Sequence, residues 1–311
     1  MLKLATMFTG GQSAIEFALK YENIEYKHIL GAEWDKFARK QVQHFHGKPK
    51  YFFQDVSKFD GNIVKDEIDL LVWGSSCKNF SLIGDRKGIQ GNESRFFIDG
   101  LKRQKEMMPK CFIFENVKGM LSSNNGADFK MALEEFTKMG YLITHKVLNA
   151  KDFGTPQNRE RLFIVGFLDQ NSHYNFTFET PKKLDITMWD LLDEVVDDKY
   201  IISDTMLKGF VNGKSVFSTK FKPKSKTDKI ANCLDTKEGG RRTNNFIPYK
   251  NSFRKLTPKE MFTLMGVKGE DISICVSDTQ ARKIAGNGID VNTLRSVVRS
   301  IYKNKSNNLF I

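Results

Sequence analysis

Residue types able to do covalent chemistry fall where turns follow β-rich runs. Cys77 lies in Gly74-Ser75-Ser76-Cys77-Lys78-Asn79-Phe80-Ser81, directly after the run Asp69 to Gly74. Most cysteines are inert core fillers, but a thiol in a strand-end turn beside a lysine is placed for a lowered pKa. Glu115 sits near the end of the run Cys111 to Val117 and brings a carboxylate to the same rim. Arg159 and Arg161, in Gln157-Asn158-Arg159-Glu160-Arg161, introduce the run that ends at Phe167. A thiol, a carboxylic acid and a guanidinium converging on one cleft supply a nucleophile, an acid and an anchoring cation.

A second set of residues reads as a nucleoside pocket. Phe8-Thr9-Gly10-Gly11-Gln12-Ser13 is a glycine-bearing turn that follows the first run and enters a helix. Alone it could be a simple chain reversal. Glu33-Trp34-Asp35 follows the second run, where a carboxylate can hold ribose hydroxyls and an indole can lie on an adenine face. Asp55 ends the third run, placed to accept a hydrogen bond from an adenine amino group. Together these describe an adenosine-containing cofactor, although Asp35 and Asp55 are also the residue type that caps helices.

The elements that must position these groups follow from the hydrophobic pattern. Leu2 to Phe8, Tyr26 to Glu33, Tyr51 to Val56, Asp69 to Gly74, Cys111 to Val117, Ile143 to Asn149 and Arg161 to Phe167 read as strands. Several are nearly continuous apolar runs, the mark of strands covered on both faces. Asp128 to Lys138 and Phe96 to Met107 read as helices, and Val291, Leu294, Val298 and Ile301 form a helical stripe. The expected fold is α/β, a mostly parallel sheet with helices on both faces. In such sheets ligands sit beyond the carboxyl ends of the strands, which is where the residues above fall.

At 311 residues and 40% hydrophobic content, the chain is globular and long enough to bury its core without staples. No apolar run approaches a membrane span and no secretory segment is visible, so no membrane association and a cytoplasmic location are expected. Four cysteines without framework or metal-ligand spacing predict neither disulfides nor a bound metal. The net charge is +12, and residues 205–260 hold fourteen Lys or Arg against four acids. Such a surplus can be a solvated face, but it fits a polyanion surface that displaces counterions from phosphates. Phe217, Phe221, Phe246 and Tyr249, with Asn244 and Asn245, add candidates for stacking and base-edge hydrogen bonding. The chain divides on this basis into a discontinuous catalytic domain, 1–167 and 254–311, and a small irregular basic domain, 168–253.

In their order along the chain these segments resemble the DNA (cytosine-5) methyltransferases. The resemblance rests on the Phe8 turn, Glu33-Trp34, Asp55, Cys77 with Phe80-Ser81, Glu115-Asn116-Val117, Gln157-x-Arg159-x-Arg161, Arg254-Lys255-Leu256-Thr257-Pro258-Lys259-Glu260 with Gly266, and Gly286-Asn287-Gly288. It implies a Rossmann-like fold that binds S-adenosylmethionine, leaves S-adenosylhomocysteine as product, and acts on double-stranded DNA. Cys77 would be the nucleophile, Glu115 the acid, Arg161 the group on the cytosine O2, and Arg159 a group that orders the site. Phe8, Thr9, Gly10, Gly11, Gln12, Glu33, Trp34, Asp55 and Asn287 would hold the cofactor. Segment 168–253 would be the target-recognition domain, with Lys220, Lys222, Lys224 and Lys226 on phosphates and Arg241, Arg242 and Asn244 on bases. Ser81 to Ser94 would form a lid over flipped-out cytosine, so Ser81 and Arg95 would also meet DNA. A monomer is expected, and a cognate restriction endonuclease is a candidate partner.

The sequence departs from the family pattern at three points. Ser76 and Lys78 flank the cysteine where the family has proline and glutamine, and Gln12 replaces the second glycine of the turn. Gln12 would thereby place a side chain where backbone passes the methionine moiety. Three alternatives use the same residues: an RNA cytosine-5 methyltransferase, a catalytically silent DNA-binding relative, and an enzyme for a modified sulfonium cofactor. The separate basic segment favours duplex DNA over RNA, and the joint presence of Cys77, Glu115 and Arg161 disfavours the silent reading.

Overall fold

The fold was analysed in a computed structural model that describes residues 1–75, 94–211, 223–238, 243 and 245–302. Cys77, Ser81, Lys220, Lys222, Arg241, Arg242 and Asn244 lie outside the described residues, as do Phe217 and Phe221.

All seven runs expected to be strands are strands. In chain order they are β1 (Leu2–Met7), β2 (Tyr26–Ala32), β3 (Tyr51–Phe53), β4 (Leu70–Trp73), β5 (Cys111–Val117), β6 (Leu142–Asn149) and, after a short β7 (Gln157–Asn158), β8 (Glu160–Phe167). Seven of them form one sheet in the order β3-β2-β1-β4-β5-β8-β6. The first five run parallel, whereas β8 is antiparallel to both β5 and β6. β1 lies between β2 and β4, so the strand order reverses there and opens a crevice at the carboxyl ends of β1 and β4.

Register aligns the ends. Met7 pairs with Ala32 on one side and Trp73 on the other, Ala32 pairs with Phe53, and Trp73 pairs with Phe114. Phe8, Glu33, Gln54, Gly74 and Glu115 are each the next residue after this row. The first four leave their strands at this level, while Glu115 stays in β5 paired with Phe163 of β8.

Side-chain alternation divides the core between the two sheet faces. One face carries Leu4, Leu70, Val72, Ile113 and Val165 and is covered by α1 (Ala14–Tyr21) and by the last described helix, Val291–Tyr302. That helix buries the expected stripe of Val291, Leu294, Val298 and Ile301. The other face carries Met7, Leu71, Trp73, Phe112, Phe114 and Ile164 beneath Phe97, Ala132 and Phe136. These belong to two helices, Ser94–Met107 and Ala127–Lys138, which match the two read from the sequence. The Trp73 indole N–H donates to Gln104 Oε1 at 2.8 Å, and a Cβ on Gly100 would strike the same ring.

The described part of 168–253 holds short elements, among them the helices Gln170–Asn175 and Asp204–Val211 and the hairpin Ile247–Tyr249 with Ser252–Arg254. Phe176, Met188, Ala231, Leu234 and Ile247 join the same core as α1. Ile202 and Phe246 form a separate small cluster with Met206, Leu207 and Phe253. Arg254 ends the hairpin with its guanidinium 2% exposed and clamps Glu260 through two bonds of 2.8 and 2.7 Å. Glu260 in turn accepts the Thr257 backbone N–H while Thr257 accepts that of Glu260, a capping box that starts the helix Pro258–Thr263. The Arg254 to Glu260 motif is thus a structural clasp. Among the described residues no helix is long and apolar enough to cross a membrane.

Candidate active site

The turn after β1 is built from unusual backbone. Phe8, Gly10 and Ser13 have φ values of 52°, 65° and 45°, the left-handed region, where only Gly10 is free of a Cβ penalty. The Phe8 ring holds its place by stacking on Trp73 and meeting Phe96 edge-on. The curled turn aims the Gly10 N–H at Glu33 Oε2, 2.8 Å away, and Glu33 Oε1 accepts the Asp35 N–H at 2.8 Å. Burial pushes the Glu33 carboxyl above its usual range, opposed by those two backbone donors.

Trp34 is 64% exposed and, with Phe53, Gln54, Asp55 and Lys58, lines a cleft of about 320 Å³. Asp55 Oδ1 caps the following turn by accepting from the Ser57 N–H and hydroxyl, both at 2.8 Å. Asp35 likewise caps α2 (Lys36–His46), so the capping reading of both aspartates holds. Sequence reasoning missed Arg39, whose Nη1 donates to the carbonyls of Glu33 and Trp34 at 2.8 and 2.6 Å and fixes the loop between them. No local signal marks it, because the guanidinium acts on backbone.

On the other side of the switch point, Gly74 packs against the Glu115 carbonyl so closely that a Cβ would not fit. Asn116 Nδ2 then donates to the Ser75 carbonyl at 3.0 Å, anchoring the chain two residues before Cys77. The reversed direction of β8 sets Arg161 opposite Val117, two residues beyond Glu115 on the same face. Arg161 Nε consequently lies 3.2 Å from Glu115 Oε1. Burial pushes the Glu115 carboxyl up, while Arg161 and then Arg159 pull it down, and the net direction is upward. A carboxyl of this kind keeps its proton to higher pH than an exposed one.

Both terminal amino groups of Arg159 hold backbone. One amino group donates to the Leu234 carbonyl at 2.8 Å, and the other donates to those of Gly288 and Gly286 at 2.6 and 3.2 Å. Its place in the molecule is to join β8 to the Gly286-Asn287-Gly288 turn. Cys233, which the sequence did not single out for this place, puts its sulfur 3.5 Å from Arg159 and 3.9 Å from Arg161. Asn287 is exposed at the end of its helix.

Several expectations need correction. Gln12 is 1% exposed and turned into the interior, where it packs on Gly288 and donates to the Ile289 carbonyl at 3.2 Å. Its side chain therefore does not project toward a cofactor; the absent glycine is accommodated by the close approach of Gly288. Gly11 presses against Ile284 and faces the protein as well. Lys224 is 8% exposed and donates to the Ile230 carbonyl and Asn232 Oδ1 at 2.9 and 3.1 Å, with burial lowering its pKa. Phe246 is core, and Asn245 is a buried bracket that bonds Asn232 and Glu238. Tyr249 is half-buried, with its hydroxyl accepting from the Val196 N–H. Lys226 stays outside, 4.2 Å over the Trp189 ring, and Arg95 is exposed beside Asp99.

Comparison with known proteins accords with this geometry. A family model described as C-5 cytosine-specific DNA methylase matches residues 6–303. The type II methyltransferase M.SsoII of Shigella sonnei is 34% identical over 284 residues, covering 88% of this chain and 73% of that protein. The type II methyltransferase M1.ScrFI of Lactococcus lactis subsp. cremoris is 33% identical over 312 residues, covering 96% and 77%. The crystal structure of the S. pombe Dnmt2 methyltransferase superposes with a TM-score of 0.80 at 18% identity, covering 99% of this chain and 100% of that one, a likeness of fold. On the full-length family match and these relatives, the chain belongs to the C-5 cytosine-specific DNA methylase family.

Proposed function

We propose that the protein transfers a methyl group from S-adenosylmethionine to C5 of a flipped-out cytosine in a specific double-stranded DNA sequence, through a covalent bond from Cys77 to C6. The observation that carries this reading is the Glu115–Arg161 pair at 3.2 Å, set beside the chain anchored two residues before Cys77 and level with the Gly10–Glu33 turn. The cofactor fits the first half of that rim. Glu33 offers a carboxylate for ribose hydroxyls, the exposed Trp34 ring and Phe53 offer faces for adenine, and Asp55 stands at the cleft edge. S-adenosylmethionine supplies a methyl group on an electron-poor sulfonium sulfur.

The chain's own residues answer the difficulty of the acceptor. Cytosine C5 is a poor nucleophile, and addition of the Cys77 thiolate at C6 makes the ring enamine-like. Charge then develops at N3, where Glu115, its carboxyl raised by burial, donates a proton or shares one. Arg161 holds the cytosine O2, and Arg159 keeps β8 in place through the backbone it binds. Loss of the C5 proton with elimination of Cys77 restores aromaticity. Unstacking the base costs about a few kcal/mol, offset by contacts to phosphates and to the pocket.

Segment 168–253 is the target-recognition domain in this reading, with Lys220, Lys222 and Lys226 on phosphates and Arg241, Arg242 and Asn244 on bases. The relatives' names place them in type II systems, so a cognate endonuclease is the natural partner of a monomeric enzyme. The test is trapping on duplex DNA containing 5-fluorocytosine, where fluorine blocks the final elimination. The wild-type chain should form a denaturation-resistant adduct and Cys77→Ala should form none while retaining DNA affinity. An adduct in the alanine variant would remove Cys77 from its role.

A further inference from the structure

A chain of buried polar groups runs beneath the turn after β1. Glu16, on α1, is 1% exposed, and its Oε1 lies 3.0 Å from His28 Nδ1. His28 Nε2 is 3.0 Å from both Thr6 Oγ1 and the Leu30 carbonyl. Thr6 Oγ1 is 2.8 Å from Thr9 Oγ1, which is 3.2 Å from the Ala32 carbonyl.

The two carbonyls fix the direction of the protons from Thr9 back to His28 Nε2. A carbonyl only accepts, so Thr9 donates to Ala32. With that proton committed, Thr6 donates to Thr9. Thr6 then accepts, so His28 Nε2 carries a proton for Thr6 and Leu30. At the other end burial pushes the Glu16 carboxyl up, but its hydrogen bond with His28 and the neighbouring histidines together outweigh that, and the net direction is down. The buried Glu16 carboxyl thus holds the far side of the His28 ring through Nδ1. Tyr26 donates to Glu16 at 3.5 Å, and His46, whose pKa burial pushes down, donates through Nε2 to the Gln12 carbonyl at 3.2 Å.

We propose that His28, held by Glu16 and acting through Thr6 and Thr9, is a positioning residue for the cofactor turn. The inference rests on the reading of Gly10 and Glu33 as part of the cofactor site. Thr9 is pinned to Ala32 twice, by its hydroxyl and by its N–H at 3.1 Å, and the next N–H, that of Gly10, orients Glu33. Freeing Thr9 loosens the donor that aims the ribose-binding carboxylate.

The test measures binding of S-adenosylhomocysteine and the steady-state rates of Thr6→Val, which keeps the shape and removes the hydroxyl. Glu33→Ala serves as reference for the cofactor site. Thr6→Val should weaken binding and raise the cofactor KM about fivefold to tenfold, the effect of one buried hydrogen bond, with kcat at saturating cofactor unchanged. Wild-type affinity in Thr6→Val with weakened binding in Glu33→Ala would overturn the positioning role alone. Wild-type affinity in both variants would overturn the cofactor reading and this inference with it.

Discussion

The Glu115 carboxyl shows how one side chain inherits its chemistry from its neighbours. Burial pushes its pKa up, and Arg161 at 3.2 Å opposes that without reversing it. A donor to N3 must carry a proton, so the proposed mechanism needs the direction that burial imposes. Glu115→Gln keeps the shape and some donor capacity but cannot transfer a proton, and turnover should fall about 10²- to 10⁴-fold with DNA affinity retained. Wild-type turnover should decline as pH rises through the raised pKa of this carboxyl, because the protonated form is the active one. The folded state shares that sign: its stability from this group is full at low pH and is lost as pH rises. Rate and melting profiles of Glu115→Gln lacking this alkaline limb would bear both expectations out.

Among the elements, the basic segment is where local pattern and three-dimensional placement part most clearly. In sequence Lys224 and Lys226 are equivalent members of one alternating run. In the fold one points inward to Ile230 and Asn232 while the other lies over Trp189 at the surface. Lys226→Ala should therefore flatten the salt dependence of DNA binding by about one unit of slope at unchanged melting temperature. Lys224→Ala should leave the slope and lower the melting temperature, since it removes the Ile230 and Asn232 bonds of a buried side chain. Salt titrations and thermal melts of the two variants distinguish them, and equal effects on slope would refute the division.

At the scale of the whole molecule, the sequence was legible where one physical force decides. The seven strands and the Val291 to Ile301 stripe were readable because apolar periodicity reports burial directly. The reversal of β8 was not, since a two-residue period is the same in either direction, yet that reversal brings Arg161 to Glu115. Glu33 and Glu115 could be found because one follows a strand and the other lies near the end of one, and the aligned register explains why such positions converge. Arg39 and Cys233 were beyond reach, the first because it acts on backbone carbonyls and the second because its arginine partners are more than seventy residues away. The same holds for Gln12, which looked like an intrusion into the cofactor site and is instead packed against a glycine more than two hundred residues away.

The central claim, methyl transfer to cytosine C5 in DNA, is tested most directly by incubating the full chain with S-adenosylmethionine labelled in its methyl group and with mixed-sequence duplex DNA, then resolving the digested nucleosides. The account predicts label in 5-methyl-2′-deoxycytidine and none in the other nucleosides. Label in a different nucleoside, or label taken up by RNA but not by duplex DNA, would contradict it.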